Sequence, residues 1–289
     1  MSKFTERSTA PIENATIVNQ LSHRTFRRFT DERLTEEQVD TLIEVARRTA
    51  TSSFLQQTTI LHITDQRVRD EIAAASGQPY VGGDKGDLFI FLVDMYRNKS
   101  LREEMGVDSR AASSMNLFIC AAEDAILAAQ NTVTAAESMG LGTVFLGSIL
   151  GDPRRLIAAM ELPELTYPIL GLLVGHSKQE PLYRPRLPHD VVFARNTYPR
   201  VDSFRQTLAE YGKEVSEYYE ARGGSAQFDD FGQLVVASLG TGGAHVSPGP
   251  GVPARAGAVL VLGAVANGRG PRCNTMTPCH ARVSTRTSS

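Results

Sequence analysis

The first 230 residues of this 289-residue chain predict a mixed α and β domain. Three observations carry that prediction. Apolar or β-branched runs of strand length recur at 58–65, 87–95 and 167–176. Stretches with helical apolar spacing or heavy alanine content separate them. Several of those stretches begin or end on a recognisable cap. A chain of this length that is 42% hydrophobic can bury a sizeable core without disulfides or metals. Beyond residue 230 the composition changes. All 32 acidic residues precede Phe231, whereas residues 231–289 hold five arginines, 10 of the 24 glycines and 5 of the 14 prolines. Such a break marks a domain boundary, with residues 1–230 as one domain and 231–289 as an atypical tail.

The elements follow in order. Thr35 and Gln38 make a capping box before TEEQVDTLIEVARR, whose Val39, Leu42, Ile43 and Ala46 share one helical face. TTILHITD (58–65) alternates and is β-branched, hence a strand. RVRDEIAAASG reads as a helix that stops at Gly77. DLFIFLVDM (87–95) is apolar nearly throughout and reads as a buried strand. SMNLFICAAEDAILAAQNTVTAAESMG (114–140) is long enough to cross a bilayer. Asn116, Glu123, Asp124, Gln130, Asn131 and Glu137 interrupt it, and charges at a bilayer centre are costly. It is therefore expected to be the central helix of a globular core or a subunit interface, its alanines allowing close backbone approach.

LGTVFLG reads as a short strand or extended turn, and Asp152-Pro153 supplies the N-cap and first position of a helix over DPRRLIAAM. YPILGLLVGH (167–176) is a third strand, QEPLYRPRLPHDVV a proline-rich loop, and DSFRQTLAEYGKEVSEYYEARG (202–223) a polar amphipathic helix. In the tail, AGAVLVLGAVANG is too short to span a membrane. The rest of the tail has turn and disorder composition and reads like out-of-frame or replaced sequence.

Composition excludes several functions. A net charge of −2 supplies no basic field for nucleic acid or an acidic membrane. Cys120, Cys273 and Cys279 are too few for a disulfide framework, and the opening residues contain no apolar signal run, so a cytoplasmic protein is expected. No GxGxxG follows a strand, Ser148 stands where a phosphate-binding loop needs lysine, and there is no GxSxG elbow. The histidines never fall at HxxxH spacing, and Cys273, Cys279 and His280 lack zinc-ligand spacing, so no metal is expected.

Anion-binding clusters remain. HRTFRRF (23–29) gathers His23, Arg24, Arg27 and Arg28 around the hydroxyl of Thr25. In an extended segment Thr25 and Arg27 share a face. YRPRLP sets Arg184 and Arg186 two residues apart across Pro185, which suits a phosphate, although solvated loop arginines would look the same. TATSSFLQQ (49–57) offers hydroxyls and amides either to the edge of a planar heterocycle or to its own turns, and Gln78 is ambiguous in the same way. GLGTVFLGS (140–148) has glycines where a backbone meets a ligand closely or merely turns.

Taken in order, HRTFRRFTDE, TSSFLQ, SGQ, AAESMGLGTVFLGS, GLLVGHS, RPRLP, NTY and EYYEARGGS resemble the flavin-linked nitroreductase superfamily. The branch is that of the oxygen-insensitive NADPH nitroreductases and flavin reductases, and the likeness runs from about residue 17 to residue 222. It implies an α+β fold with a central, mostly antiparallel sheet flanked by helices, and FMN held noncovalently at a homodimer interface. By that resemblance His23, Arg24, Thr25 and Arg27 contact the FMN phosphate and ribityl chain, and Arg184 and Arg186 complete the phosphate clamp. Thr51 and Ser52 line the isoalloxazine, and Gln78 bonds its polar edge. Phe145, Leu146, Gly147 and Ser148 cover it, with backbone amides near its N5 or O4. Arg222 matches a position that binds the 2′-phosphate of NADPH. Arg184 replaces a common lysine and Ser148 a common glycine.

The implied reaction is ping-pong transfer of hydride from NADPH through the flavin to a small-molecule acceptor such as a nitroaromatic, quinone, azo compound or free flavin. No side chain serves as nucleophile, since the flavin carries the chemistry. The alternatives are a flavin reductase that supplies reduced FMN to a partner monooxygenase, and a flavin-binding protein inactivated by its altered C-terminus.

Overall fold

A computed structural model of the chain describes residues 3–223 and 230–239. The expectation of an irregular tail falls almost wholly outside these described residues. In chain order the elements are α1 (Ala15–Leu21), α2 (Glu36–Arg47), β1 (Thr58–Ile63), α3 (Gln66–Ser76), β2 (Asp87–Asp94), α4 (Tyr96–Glu104) and α5 (Met115–Ser138). They continue with β3 (Gly142–Leu146), α6 (Pro153–Ala159), β4 (Thr166–Gly175), α7 (His189–Val192), α8 (Phe204–Thr207), α9 (Ala209–Ala221) and α10 (Phe231–Leu239). The strands form one sheet in the order β1-β2-β4-β3 with every neighbouring pair antiparallel. This is the α+β arrangement the resemblance implies.

Local chemistry sets the helix ends. The amide of Gln38 donates to Thr35 Oγ1 and the amide of Thr35 to Gln38 Oε1, closing both halves of the capping box on α2. Gly77 ends α3 in the left-handed region at φ 63°. Ser114 caps α5, and Asp152 with Pro153 opens α6.

Both faces of the sheet are covered, so β2 is buried along its whole length and shows no polar alternation. Leu88, Ile90 and Leu92 join Ile63, Ile72 and Leu156 on the α3 and α6 side. Phe89 and Phe91 pack with Leu42, Ala46, Ala128 and Ala129 on the α2 and α5 side. The ladder between β2 and β4 slips where Phe91 faces Leu170 and Leu92 faces Pro168. A proline has no N–H for the ladder, and a bulge is where a sheet accommodates one.

Two expectations are corrected. The helix over 202–223 breaks at Leu208 into α8 and α9, each with its own start. The proline-rich loop contains the short helix α7. Helix α4 was not legible because it buries no residue, so no apolar stripe marks it. Helix α10 starts at Phe231, where the composition breaks, and its first ring meets Tyr211 edge-on at 5.1 Å.

The outer edge of β3 does not stay open. Residues 23–29 leave α1 extended and run along it. Thr25 bridges to Thr143 in parallel, and the Phe26 amide donates to the Thr143 carbonyl at 2.9 Å. Covering an edge in this way removes a row of unpaired backbone groups. Gly142 permits the approach, because a Cβ there would stand 2.7 Å from Phe26 Cγ. Among the described residues, no helix is long and apolar enough to cross a membrane.

Candidate functional site

The extended segment after α1, the loop after β4 and the end of α9 converge on a cleft of about 860 Å3. It is lined by His23, Arg24, Thr25, Arg27, Arg184, Arg186 and Arg222, which are seven of the expected site residues. Arg28, Tyr80, Gln179, Glu180 and Tyr218 join them. Six arginines thus face one cleft against a single carboxylate, Glu180. So dense a cationic lining recognises an anion, and guanidinium geometry favours phosphate or carboxylate.

The individual groups are held firmly. His23 Nδ1 lies 2.6 Å from Glu137 Oε1, which also accepts the Thr143 hydroxyl at 3.0 Å. With Nδ1 engaged, Nε2 is the ring nitrogen left for a ligand. Arg24 lies over the rings of Phe26 and Tyr183 at 5.7 and 5.0 Å, and its Nη1 donates to Glu180 Oε2 at 2.6 Å. Arg27 lies over the Tyr80 ring at 6.0 Å. Arg186 Nη1 bonds the Arg184 carbonyl at 3.1 Å, which stiffens the Arg-Pro-Arg turn. Among the described residues two buried polar atoms beside the cleft have no partner, the donor Arg24 Nε and the acceptor Gln179 Oε1. A ligand bearing both anionic oxygens and hydroxyls matches this pair, and the phosphate and ribityl chain of FMN are such a ligand.

The remaining expected residues lie elsewhere. Thr51 lines a second cavity of about 320 Å3 together with Thr58 and Asp124. The Ser52 amide donates to Asp124 Oδ1 at 2.8 Å, Asn98 Nδ2 to the Leu55 carbonyl at 3.0 Å, and Arg97 Nη1 to the Gln56 carbonyl at 3.0 Å. These three bonds grip a loop in which Ser53, Phe54 and Gln56 take φ of 52°, 58° and 51°. Left-handed backbone is costly for residues with a Cβ, and a structure that maintains it three times in four residues over-determines that loop. Phe54 projects from it, 82% exposed.

Leu146 is buried in the core and offers a ligand only its backbone, while Phe145 is half-buried against the α2 and α5 side. Gly147 opens a 3-10 turn, Gly147–Gly151, and Ser148 Oγ bonds Ser76 Oγ at 2.9 Å. Gln78 is half-buried in the turn after α3, whose Pro79 and Tyr80 reach the cleft while Gln78 does not line it. Thr51 and Ser52 precede β1 and residues 23–29 lie along β3, at opposite edges of the sheet. Three inter-strand spacings of ~4.8 Å separate those edges. A single chain therefore gathers seven of the expected residues in one cleft and leaves Thr51 and Ser52 apart from it.

Sequence reasoning missed Asp124, Gln179 and Glu180. Asp124 carried a signal, being an acid among alanines that are themselves buried on α5. Gln179 and Glu180 had only their nearness to the Arg-Pro-Arg turn.

A helix-flanked antiparallel sheet with an arginine-lined cleft beside its edge strand defines a protein suited to an anionic small-molecule ligand. Comparison with known proteins narrows this class. The chain belongs to the nitroreductase family: the family model matches residues 21–176, and that of the family's C-terminal domain matches residues 184–247. The second match continues past Phe231. An FMN reductase (NADPH) from Bacillus subtilis is 39% identical over 212 residues, 72% of this chain and 85% of the relative. Among solved structures, the NfrA1 nitroreductase of B. subtilis superposes with a TM-score of 0.72 at 36% identity, over 77% of this chain and 91% of that one. The NADPH:FMN oxidoreductase of Vibrio harveyi, solved with NAD+, gives a TM-score of 0.70 at 30% identity, over 81% and 95%.

Proposed function

We propose that the protein is an NADPH-dependent, FMN-containing oxidoreductase that reduces nitroaromatics, quinones or related acceptors as a homodimer. The observation that carries this reading is the convergence of Arg24, Arg27, Arg184, Arg186 and Arg222 on one cleft. FMN supplies the hydride chemistry when bound, and the chain supplies anchoring and orientation. Arg24, Arg27, Arg184 and Arg186 hold the phosphate, and His23 and Thr25 meet the phosphate and ribityl hydroxyls. The strand end and turn over Phe145, Leu146, Gly147 and Ser148 present backbone amides to the ring system, with Gln78 at its polar edge. Thr51 and Ser52 reach the ring from a second chain. The outer face of α5 supports that pairing, since Met115, Ile119, Ile126 and Leu127 are about half exposed while the opposite face packs into the core. A flavin reductase that passes reduced FMN to another enzyme uses the same site, and the name of the B. subtilis relative favours that acceptor.

An anaerobic visible spectrum of the purified protein tests the reading. A flavin spectrum that bleaches with NADPH and returns with a nitroaromatic or quinone is expected. A colourless protein that FMN does not reconstitute would refute it. Arg222, at the end of α9 and on the cleft wall, is assigned to the 2′-phosphate of NADPH. Arg222→Ala is expected to raise the KM for NADPH about tenfold, the loss of one charge-assisted bond, and to leave that for NADH unchanged. Steady-state kinetics with both donors checks this, and equal changes would remove the assignment.

A further inference from the structure

Glu180 is the one carboxylate among the residues lining the cleft, and it pairs with Arg24 at 2.6 Å. Arg24 lies over two aromatic rings with its side chain 23% exposed, whereas the Glu180 side chain is 83% exposed. The backbone on both sides of Glu180 is tied down. The Gln179 amide donates to Ser177 Oγ at 3.1 Å, Ser177 Oγ donates to the Arg28 carbonyl at 2.7 Å, and the Tyr183 amide donates to the Phe4 carbonyl at 2.8 Å. The loop thus fixes where the carboxylate starts and leaves only its side chain to swing.

Arg24 Nη1 donates to Glu180 Oε2 at 2.6 Å and to the Pro181 carbonyl at 3.4 Å, so it cannot also serve a ligand phosphate in full without giving up one of them. A phosphate dianion brings more charge and more acceptor oxygens than a carboxylate, so it can displace Glu180 from the guanidinium. A ligand without a phosphate makes no demand on Arg24 and does not meet this competition. We propose that Glu180 is a resident competitor at Arg24: a ligand phosphate must displace its carboxylate to bind, so Glu180 lowers the affinity of the cleft for phosphorylated ligands and leaves unphosphorylated ones untouched. The identity of the preferred ligand as FMN rests on the function proposed above; the competition itself does not.

Glu180→Gln keeps the shape of this exposed side chain and removes its charge. Calorimetric titrations of wild-type and variant apoprotein at fixed ionic strength would use three probes: inorganic phosphate, FMN and riboflavin, which lacks the phosphate. The variant is expected to bind inorganic phosphate and FMN about fivefold more tightly, the upper range for an exposed ion pair, with riboflavin unchanged. Unchanged phosphate affinity overturns the proposal, and so does an equal gain for riboflavin, which would place Glu180 against the flavin ring or the fold rather than the phosphate. If neither flavin binds either protein, the FMN reading fails, while the inorganic phosphate titration still decides the role of Glu180.

Discussion

Changing Arg184 and Arg186 together to alanine is expected to yield a colourless protein. The two arginines flank Pro185 in a turn stiffened by the bond from Arg186 Nη1 to the Arg184 carbonyl, and both face the cleft. Each charge-assisted contact to a phosphate is worth ~1.5–3 kcal/mol, so losing two weakens FMN binding by roughly 10²- to 10⁴-fold. Both side chains are exposed and their only hydrogen bonds among the described residues lie within the turn, so circular dichroism should show an intact fold. The ratio of flavin to protein absorbance after purification, with FMN titration of the apoprotein, measures the effect. A fully loaded yellow double variant would move the phosphate site elsewhere.

The largest expected stability effect comes from Asp87, 3% exposed at the start of β2. Its Oδ1 accepts from Arg33 Nη2 at 2.9 Å and lies 3.0 Å from His62 Nε2, while Oδ2 accepts the Leu34 amide at 3.2 Å. One carboxylate therefore ties the segment entering α2 to two strands of the sheet. Asp87→Ala strands a buried amide and two cationic or polar side chains, a change that typically costs ~3–5 kcal/mol. Arg33 is partly exposed and can rehydrate, which favours the lower end.

The same site makes stability depend on pH. Burial alone would raise the Asp87 carboxyl, but the His62 bond, the Leu34 amide and the charges of Arg33 and His62 outweigh it and hold the group below its ordinary value. Its contribution is full above the unfolded value of ~3.9 and is lost as the pH falls through the lower folded value. Urea midpoints at pH 7 should fall in the variant, and the wild-type advantage should shrink below about pH 4. A variant as stable as wild type at pH 7 would show that the hub contributes nothing net.

Much of the fold was legible. The capping box of α2, the glycine stop of α3, the buried run of β2 and the Asp-Pro start of α6 each declare themselves within a few residues. So did the arginine pair around Pro185 and the cationic segment 23–29, since both are local motifs. Helix α5 was legible as a helix of the core or of a subunit interface, but not in which side chains face which way. Its alanines pack one face into the core, and only the packing shows that Met115, Ile119, Ile126 and Leu127 are left outward. Helix α4 and the break at Leu208 escaped because neither buries a periodic stripe nor carries a proline or glycine to announce it. Asp124 and Glu180 escaped because a carboxylate acquires its role from the group it faces. That group lies 72 residues away for Ser52 and 156 for Arg24.

By itself, then, the sequence determined where most of the helices and strands start and stop, where the apolar periodicity lies, and which short segments can bind an anion. These depend on periods of two and 3.6 residues and on capping groups, all local properties. Only the tertiary structure decided that β4 inserts between β2 and β3, that residues 23–29 cover the β3 edge, and that arginines from three distant segments face one cleft. It also placed Thr51 and Ser52 at the opposite edge. Those outcomes depend on contacts between residues far apart in the chain, chosen by how two buried faces and a sheet edge are covered together, and no window of sequence contains them.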